Sequence, residues 1–339
     1  MASTRDKTAA LAAAGVGVAT AAAARIGIRK LRDSHSEAAD STAYRLLEGE
    51  PAGPGIKRVI GAQVDDAIAQ LRGEASTEPP DAIHEARKDM KKIRSALRLV
   101  RDAMGDDTWR RENDHYRDVA RQLSAHRDAE ILVEALDELG ERFGPAARDA
   151  YARLRQQLDR ENRAAQDDGT IERTMAGAAA ELAAGRTRID RLPVDGEGWE
   201  LIAPGIHRTY RRGRKRLRAV EEEASVTNLH ELRKRVKDLW YQLRLIREAD
   251  KHMIGALADH AHDLSDHLGD DHDLALLREE VQRRRDAFAS PADQRHLLQE
   301  IDQRRGELQF AADSLGSRVY AEKPKKFTAR LSKRYRRTR

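Results

Sequence analysis

The chain contains no cysteine, which excludes disulfides and thiol chemistry and leaves the compartment unreadable from redox logic. Aromatic residues make up only 4% of it, so platforms for stacking on bases are scarce. No run of alternating β-branched residues reads as a strand. There is no Gly-x-x-x-x-Gly-Lys loop, no His-Glu-x-x-His pair and no Gly-x-Ser-x-Gly elbow. Nor do paired carboxylates stand beside a proton donor in a way that marks them as catalytic. The expectation is a protein with no catalysis of its own, no cofactor and no resident metal. What remains is dominated by Ala, Leu, Arg, Asp and Glu, and Ala, Leu, Arg and Glu favour helices. An all-α chain follows, and its 339 residues allow two or three domains by length alone.

A strongly apolar run is missing as well. Thr8 to Ala24 is uncharged but mostly alanine, with Arg5 and Lys7 before it and Arg25, Lys30 and Arg32 after it. A membrane span wants about 20 strongly apolar residues, so the drive to insert is weak. Residues 1–44 are read as a peripheral or disordered helical extension, with a signal peptide or a membrane anchor as the alternatives. The expected location is cytoplasmic.

Net charge is +5, but from Lys323 to Arg339 there are nine Lys or Arg and no acid. Setting those nine aside leaves residues 1–322 at −4, slightly acidic. An anion site in the body must therefore come from local segregation of charge and not from a general positive field.

Such segregation is present, twice. Ile83–Arg101 reads IHEARKDMKKIRSALRLVR, and Leu229–Arg247, 146 positions later, reads LHELRKRVKDLWYQLRLIR. At about 100° per residue, His84, Arg87, Lys88, Lys91 and Arg98 share one side of a helix. Ala86, Met90, Ile93, Leu97 and Val100 take the opposite side, as Leu232, Val236, Leu239, Leu243 and Ile246 do in the second copy. Each stripe runs for roughly 20 Å, longer than a single phosphate needs. Like charges at i, i+4, such as Arg87 and Lys91, repel by a few tenths of a kcal/mol, so a repeated stripe suggests a repeated surface for an anion. The copies differ in two places: Arg94 becomes Trp240 and Lys92 becomes Asp238, so the two half-sites should be electrostatically unequal.

Along the rest of the chain, the proline and glycine of Glu50–Gly55 mark a boundary. Helices are expected over Ile56–Arg72, from Pro79 through the first stripe, Trp109–Leu123, Asp128–Arg142, Pro145–Asn162 and Glu172–Ala184. The linker between halves is placed at residues 191–204. Helices then follow over Pro204–Glu223, Val226–Glu248, Lys251–Leu268, His272–Ala289 and Pro291–Leu315. This gives a first half at 45–190, a second at 205–318 and a basic tail at 319–339, disordered or folded only on a partner. Laid over one another, the opening helices put Lys57 and Arg58 opposite His207 and Arg208. The second then adds Arg211, Arg212, Arg214 and Lys215.

The His-x-x-Arg-Lys-x-x-Lys pattern at His84–Lys91 and again at His230–Lys237 resembles the conserved histidine α-helical domain, the CHAD domain. Arg45–Val59 is similar to that family's approach to its first helix, and Gly205–Leu217 to the opening helix of its second half. LSAHRDAEIL from Leu123 and LGDDHDLALL from Leu268 resemble its paired Leu-small-x-x-x-Asp turns. The resemblance covers residues 45–318. It implies two pseudo-symmetric four-helix bundles, from an internal duplication, around a basic groove or pore. It also implies binding of inorganic polyphosphate by the basic helices, and association with polyphosphate granules would follow. A stand-alone member is expected, because the Glu-x-Glu-x-Lys signature of the CYTH domain often fused to it is not found. The contacts expected are Lys57, Arg58, His84, Arg87, Lys88, Lys91 and Arg98, with Arg208, Arg211, Arg212, His230, Arg233, Lys234, Lys237 and Arg244. Arg would grip phosphate with a planar fork and Lys with a point charge that tolerates sliding. His84 and His230 would favour protonation beside an anion, so binding should strengthen as pH falls.

Two other readings compete. His260–Leu274 is rich in His and Asp and could hold a divalent metal for phosphate hydrolysis. The basic tail could contact nucleic acid non-specifically, or an anionic lipid surface.

Overall fold

A computed structural model describes residues 44–75, 78–124, 128–166 and 169–337. The alanine-rich stretch 8–24 lies outside them. Among the described residues there is no strand, and no helix is long and apolar enough to cross a membrane.

The first part of the chain forms α1 (Ala52–Leu71), α2 (Pro79–Leu99), a short α3 (Arg101–Met104), α4 (Asp106–Gln122), α5 (Asp128–Phe143), α6 (Pro145–Ala150), α7 (Ala152–Gln166) and α8 (Thr170–Asp190). The second forms α9 (Trp199–Glu222), α10 (Val226–Leu245), α11 (Met253–Arg283), α12 (Pro291–Val319) and α13 (Pro324–Tyr335). Local chemistry sets many ends. Pro79 and Pro291 open α2 and α12, where a missing N–H costs nothing. Ser225 and Ser290 cap α10 and α12 by accepting from the N–H of Asn228 and Asp293. The first turn of α1 has no side-chain cap. Its Ala52 and Gly53 N–H groups instead donate to the carbonyls of Glu197 and Gly196, so the linker between halves closes that end.

All ten apolar residues assigned to the inner faces of the two stripe helices are buried. They enter a large core that draws on both halves: α1, α2, α4 and α8 from the first, and α9, α10, the first part of α11 and α13 from the second. A second core also draws on both, joining α5, α6 and α7 to the later part of α11 and to α12. The helices α11 and α12, 31 and 29 residues long, pack antiparallel and pass through both cores. The two cores are therefore not the two sequence halves.

Four expectations need correction. The helices expected over Lys251–Leu268 and His272–Ala289 are one helix, α11. Asp270, Asp271 and Asp273 do not start a new helix. Asp271 is buried and satisfied by Arg305 at 3.0 Å and Gln309 at 2.8 Å. The helix expected over Pro145–Asn162 is broken at Tyr151, whose ring turns into the second core. The linker is shorter than 191–204, because α9 begins at Trp199 and holds Pro204 inside it. The basic tail is folded on its own chain: Phe327, Leu331 and Tyr335 of α13 are buried in the large core.

Candidate anion-binding site

The stripe helices α2 and α10 meet through their C-terminal halves. Ser95 Oγ donates to the carbonyl of Asp238 at 2.9 Å, and Gln242 Nε2 donates to the carbonyl of Ser95 at 3.4 Å, all buried. Around this contact the copies carry an inverted charge pair. In α2 Asp89 accepts from Lys92 at 3.0 Å; in α10 the matching positions are Arg235 and Asp238, 3.0 Å apart. Asp238 is also gripped by Arg98 from α2 at 2.9 Å. One carboxylate thus draws two guanidinium groups from two helices to one place.

More arginines converge there. Arg208 of α9 donates to Asp102 at 2.6 Å and to the carbonyl of Arg98 at 3.2 Å. Arg101 pairs with Asp106 at 2.9 Å and lies over the Trp109 ring, 4.2 Å from its centroid. Arg94 donates to Asn113 at 3.3 Å. Its pKa is pushed down to about 10, first by burial and then by Arg98. Arg212 is held below the usual arginine value by desolvation and then by Arg235, Arg208, Arg101 and Arg211. Both remain protonated at neutral pH, but their positive charge is only partly compensated. The close approach of α9 to the end of α2 depends on Gly205: a Cβ there would stand 2.0 Å from the Leu99 carbonyl oxygen.

Outward from the cluster, the exposed side of α9 carries Arg211, Arg212, Arg214, Lys215 and Arg218, and none of these meets an acid among the described residues. Only Arg216 on this stretch does, with Glu231 at 3.8 Å. The reason is in the sequence, since Leu201–Val220 contains no Asp or Glu. Half-buried arginines elsewhere are paired across helices, as Arg155 is with Asp137 and Arg284 with Glu161.

Of the expected contacts, Arg98, Arg208, Arg211 and Arg212 come together here. Arg87 and Lys91 lead toward the cluster along α2 at helical spacing through Arg94, with His84 a turn earlier. Lys88 is nearly buried and pairs with Glu85 at 3.2 Å. Lys57 and Arg58 are engaged elsewhere, by Asp195 at 3.2 Å and Glu50 at 2.6 Å. The α10 row meets different neighbours. His230 packs its ring against His272, 4.5 Å between centroids, with its Nδ1 buried and without a hydrogen-bond partner. Arg233 lies in the charge field of His230 and His272, and Lys234 pairs with Glu231. Lys237 stands over Trp240. Arg244, expected as an open contact, is 8% exposed and sits between the Trp240 and Tyr44 rings at 5.1 and 5.5 Å. Arg94, Arg101, Arg235, Arg214, Lys215 and Arg218 were not among the expected contacts. Arg94 and Arg101 continue the α2 row, and the other α9 cations fall in the acid-free run; Arg235 leaves no such trace, because it lies off the stripe.

The His/Asp-rich segment is spread around α11. Asp271 faces α12, His272 faces His230, and His262 stacks on Trp240 while its Nδ1 lies 3.1 Å from Asp266. Among the described residues no three His, Asp or Glu side chains gather as a metal site.

These observations define an all-helical protein in which arginines of α2, α3, α9 and α10 converge. The family model of the CHAD domain matches residues 58–282, well over half of the chain, and the chain belongs to that family. Two solved structures share the fold at 16% identity. PptA from Streptomyces chartreusis aligns with a TM-score of 0.56, over 80% of this chain and 100% of its own. The CHAD domain from the plant Ricinus communis aligns with a TM-score of 0.50, over 83% and 97%. No curated protein matches the sequence.

Proposed function

We propose that this chain binds inorganic polyphosphate, without catalysing its cleavage, on the face formed by α2, α9 and α10. The observation that carries the reading is the row of exposed α9 cations without acidic partners, set beside a cluster of partly compensated arginines. Such a surface is costly by self-repulsion unless an anion completes it. Arg94, Arg98, Arg101, Arg208 and Arg235 are fixed by packing and by their own hydrogen bonds, so little side-chain entropy is lost when phosphate oxygens meet them. Arg211, Arg212, Arg214 and Lys215 are unrestrained and suit a repeating ligand with no fixed register. Family membership and the density of arginine support the same reading, and localisation to polyphosphate granules would follow from it.

The test is direct titration of the full chain with tripolyphosphate, long-chain polyphosphate and single-stranded DNA of matched charge, at about 150 mM salt. Reversing Arg211 and Arg212 to Glu, both exposed and unpaired, should weaken both polyphosphates by at least about tenfold, with a melting temperature no lower than that of the parent chain because repulsion is relieved. Unaltered binding would remove this face as the site. Equal competition by the DNA would make the protein a general polyanion or nucleic-acid binder.

A further inference from the structure

The cationic face does not stop at α9. The helix α13 is docked along it by specific contacts. The Phe327 ring stacks on Tyr210 at 3.7 Å, and Tyr335 lies 5.5 Å from Trp199. The Tyr210 hydroxyl donates to the carbonyl of Glu322 and accepts from its N–H, at 3.1 and 3.2 Å. At the seam His207 of α9 meets Thr328 of α13 at 3.3 Å. Packed helices stand about 8–10 Å apart between axes, so the exposed side of α13 begins one helix width from Arg211.

That exposed side is as one-signed as α9. Residues 323–339 contain no acid, and Lys323, Lys325, Lys326 and Lys333 are exposed without an acidic partner among the described residues. Two acids along the seam are already taken. Arg330 neutralises Glu322 and Arg336 pairs with Glu200. Thus two neighbouring helices, joined by an aromatic seam, present about 20 Å of breadth with unopposed positive charge. A short anion can be satisfied within the arginine cluster. Only a long one can cover both helices at once.

We infer that α13 is a part of the same polyanion surface and sets a preference for chain length. Tripolyphosphate fills the arginine cluster alone, whereas long-chain polyphosphate runs on from Arg208 and Arg211 across α9 to Lys325 and Lys326. The inference rests on the polyphosphate reading of the cluster. It gives the basic C-terminal segment a role within that site, where a separate nucleic-acid or lipid contact had been the alternative.

The experiment uses the full chain with Lys325 and Lys326 both reversed to Glu, compared with the wild type and with the Arg211→Glu, Arg212→Glu variant. Both lysines are exposed, and an unchanged thermal midpoint confirms that α13 stays docked. Long-chain polyphosphate should bind the lysine variant about tenfold more weakly, and the slope of log affinity against log salt should fall by about two. Tripolyphosphate affinity should be unchanged. Equal binding of long-chain polyphosphate to wild type and lysine variant overturns the inference while leaving the cluster reading intact. Loss of tripolyphosphate as well overturns it, because the lysines would then act as a general field. If the arginine variant still binds both ligands normally, it is the cluster reading that fails. If single-stranded DNA competes equally through the same lysines, the length preference is overturned in favour of a nucleic-acid surface.

Discussion

At the scale of single residues, Asp238 is the most telling. Its side chain is 10% exposed and lies between Arg98 and Arg235. It offsets part of the charge that an incoming anion would meet and holds two helices in register at their contact. The substitution Asp238→Asn keeps the shape and removes the charge. Stability should fall by about 1–3 kcal/mol, since two half-buried guanidiniums lose their shared counter-ion, while polyphosphate affinity should rise. Denaturant unfolding and titration on one sample read both, and a fall in affinity with the fall in stability would show that Asp238 only positions its neighbours. The histidines give a second test. His115, His230 and His272 all have pKa values lowered below 6.5, chiefly by burial. The unfolded chain then binds protons more readily than the folded one, so their contribution to stability is complete above about pH 6.5 and is lost as pH falls below it. The melting temperature should be level near neutrality and decline between about pH 6.5 and 5, before most carboxylates titrate. A level midpoint across that interval would mean that these rings are as accessible to protons as in the unfolded chain. The His84 and His230 pattern was legible in the sequence as a basic stripe, but the packing of His230 on His272 was not, because nothing local marks which element of α11 lies opposite.

At the scale of elements, the helices were legible where an apolar face repeats, and their ends were legible where proline or serine fixes them. The expectations failed where tertiary partners override local punctuation. A break was expected between Leu268 and His272, yet Arg305 and Gln309 satisfy Asp271 within an unbroken α11. The run of positive charge after Lys323 hid the spacing of Phe327, Leu331 and Tyr335, which is the i, i+4, i+8 pattern of a docked face. Close approach of α9 to α2 yields a paired prediction. In Gly205→Ala the new methyl would stand 2.0 Å from a backbone oxygen, so α9 must move, at a cost of about 1–3 kcal/mol. In Gly177→Ala, on α8, the methyl meets open space, and the protein should gain about 0.5–1 kcal/mol from helix propensity. Chemical denaturation of both variants checks the pair. An equal response would mean that α9 is not held against the Leu99 carbonyl.

At the scale of the whole molecule, the two similar stripe segments lie on unequal surfaces. The register Pro54-Gly55-Ile56 against Pro204-Gly205-Ile206 matches Arg58 to Arg208, and the stripe register matches Arg244 to Arg98 and Arg247 to Arg101. On the second-half side these positions gather with Arg94, Arg211, Arg212 and Arg235. On the other side the matching positions are Trp240, Gly61, Ala62 and Asp89. The cations that remain there are neutralised or buried: Arg58 by Glu50, Arg247 by Asp259, and Arg244 between two aromatic rings. The segment carrying Tyr44 and Leu46 covers that side, with Tyr44 donating to the Lys92 carbonyl and the Leu46 N–H to the Leu245 carbonyl. The sequence announced the inequality through Trp240 and Asp238, but not its extent, because the covering segment and the acid partners come from outside the repeat. A symmetric pair of sites would bind two short anions per chain with similar strength. The asymmetry predicts one. Calorimetric titration with tripolyphosphate should therefore give a stoichiometry of one per chain, and the Arg211→Glu, Arg212→Glu variant should lose that single event outright. Two equivalent events, with one surviving in the variant, would show that Arg58, Arg244 and Arg247 exchange their internal partners for phosphate as readily as the open face accepts it.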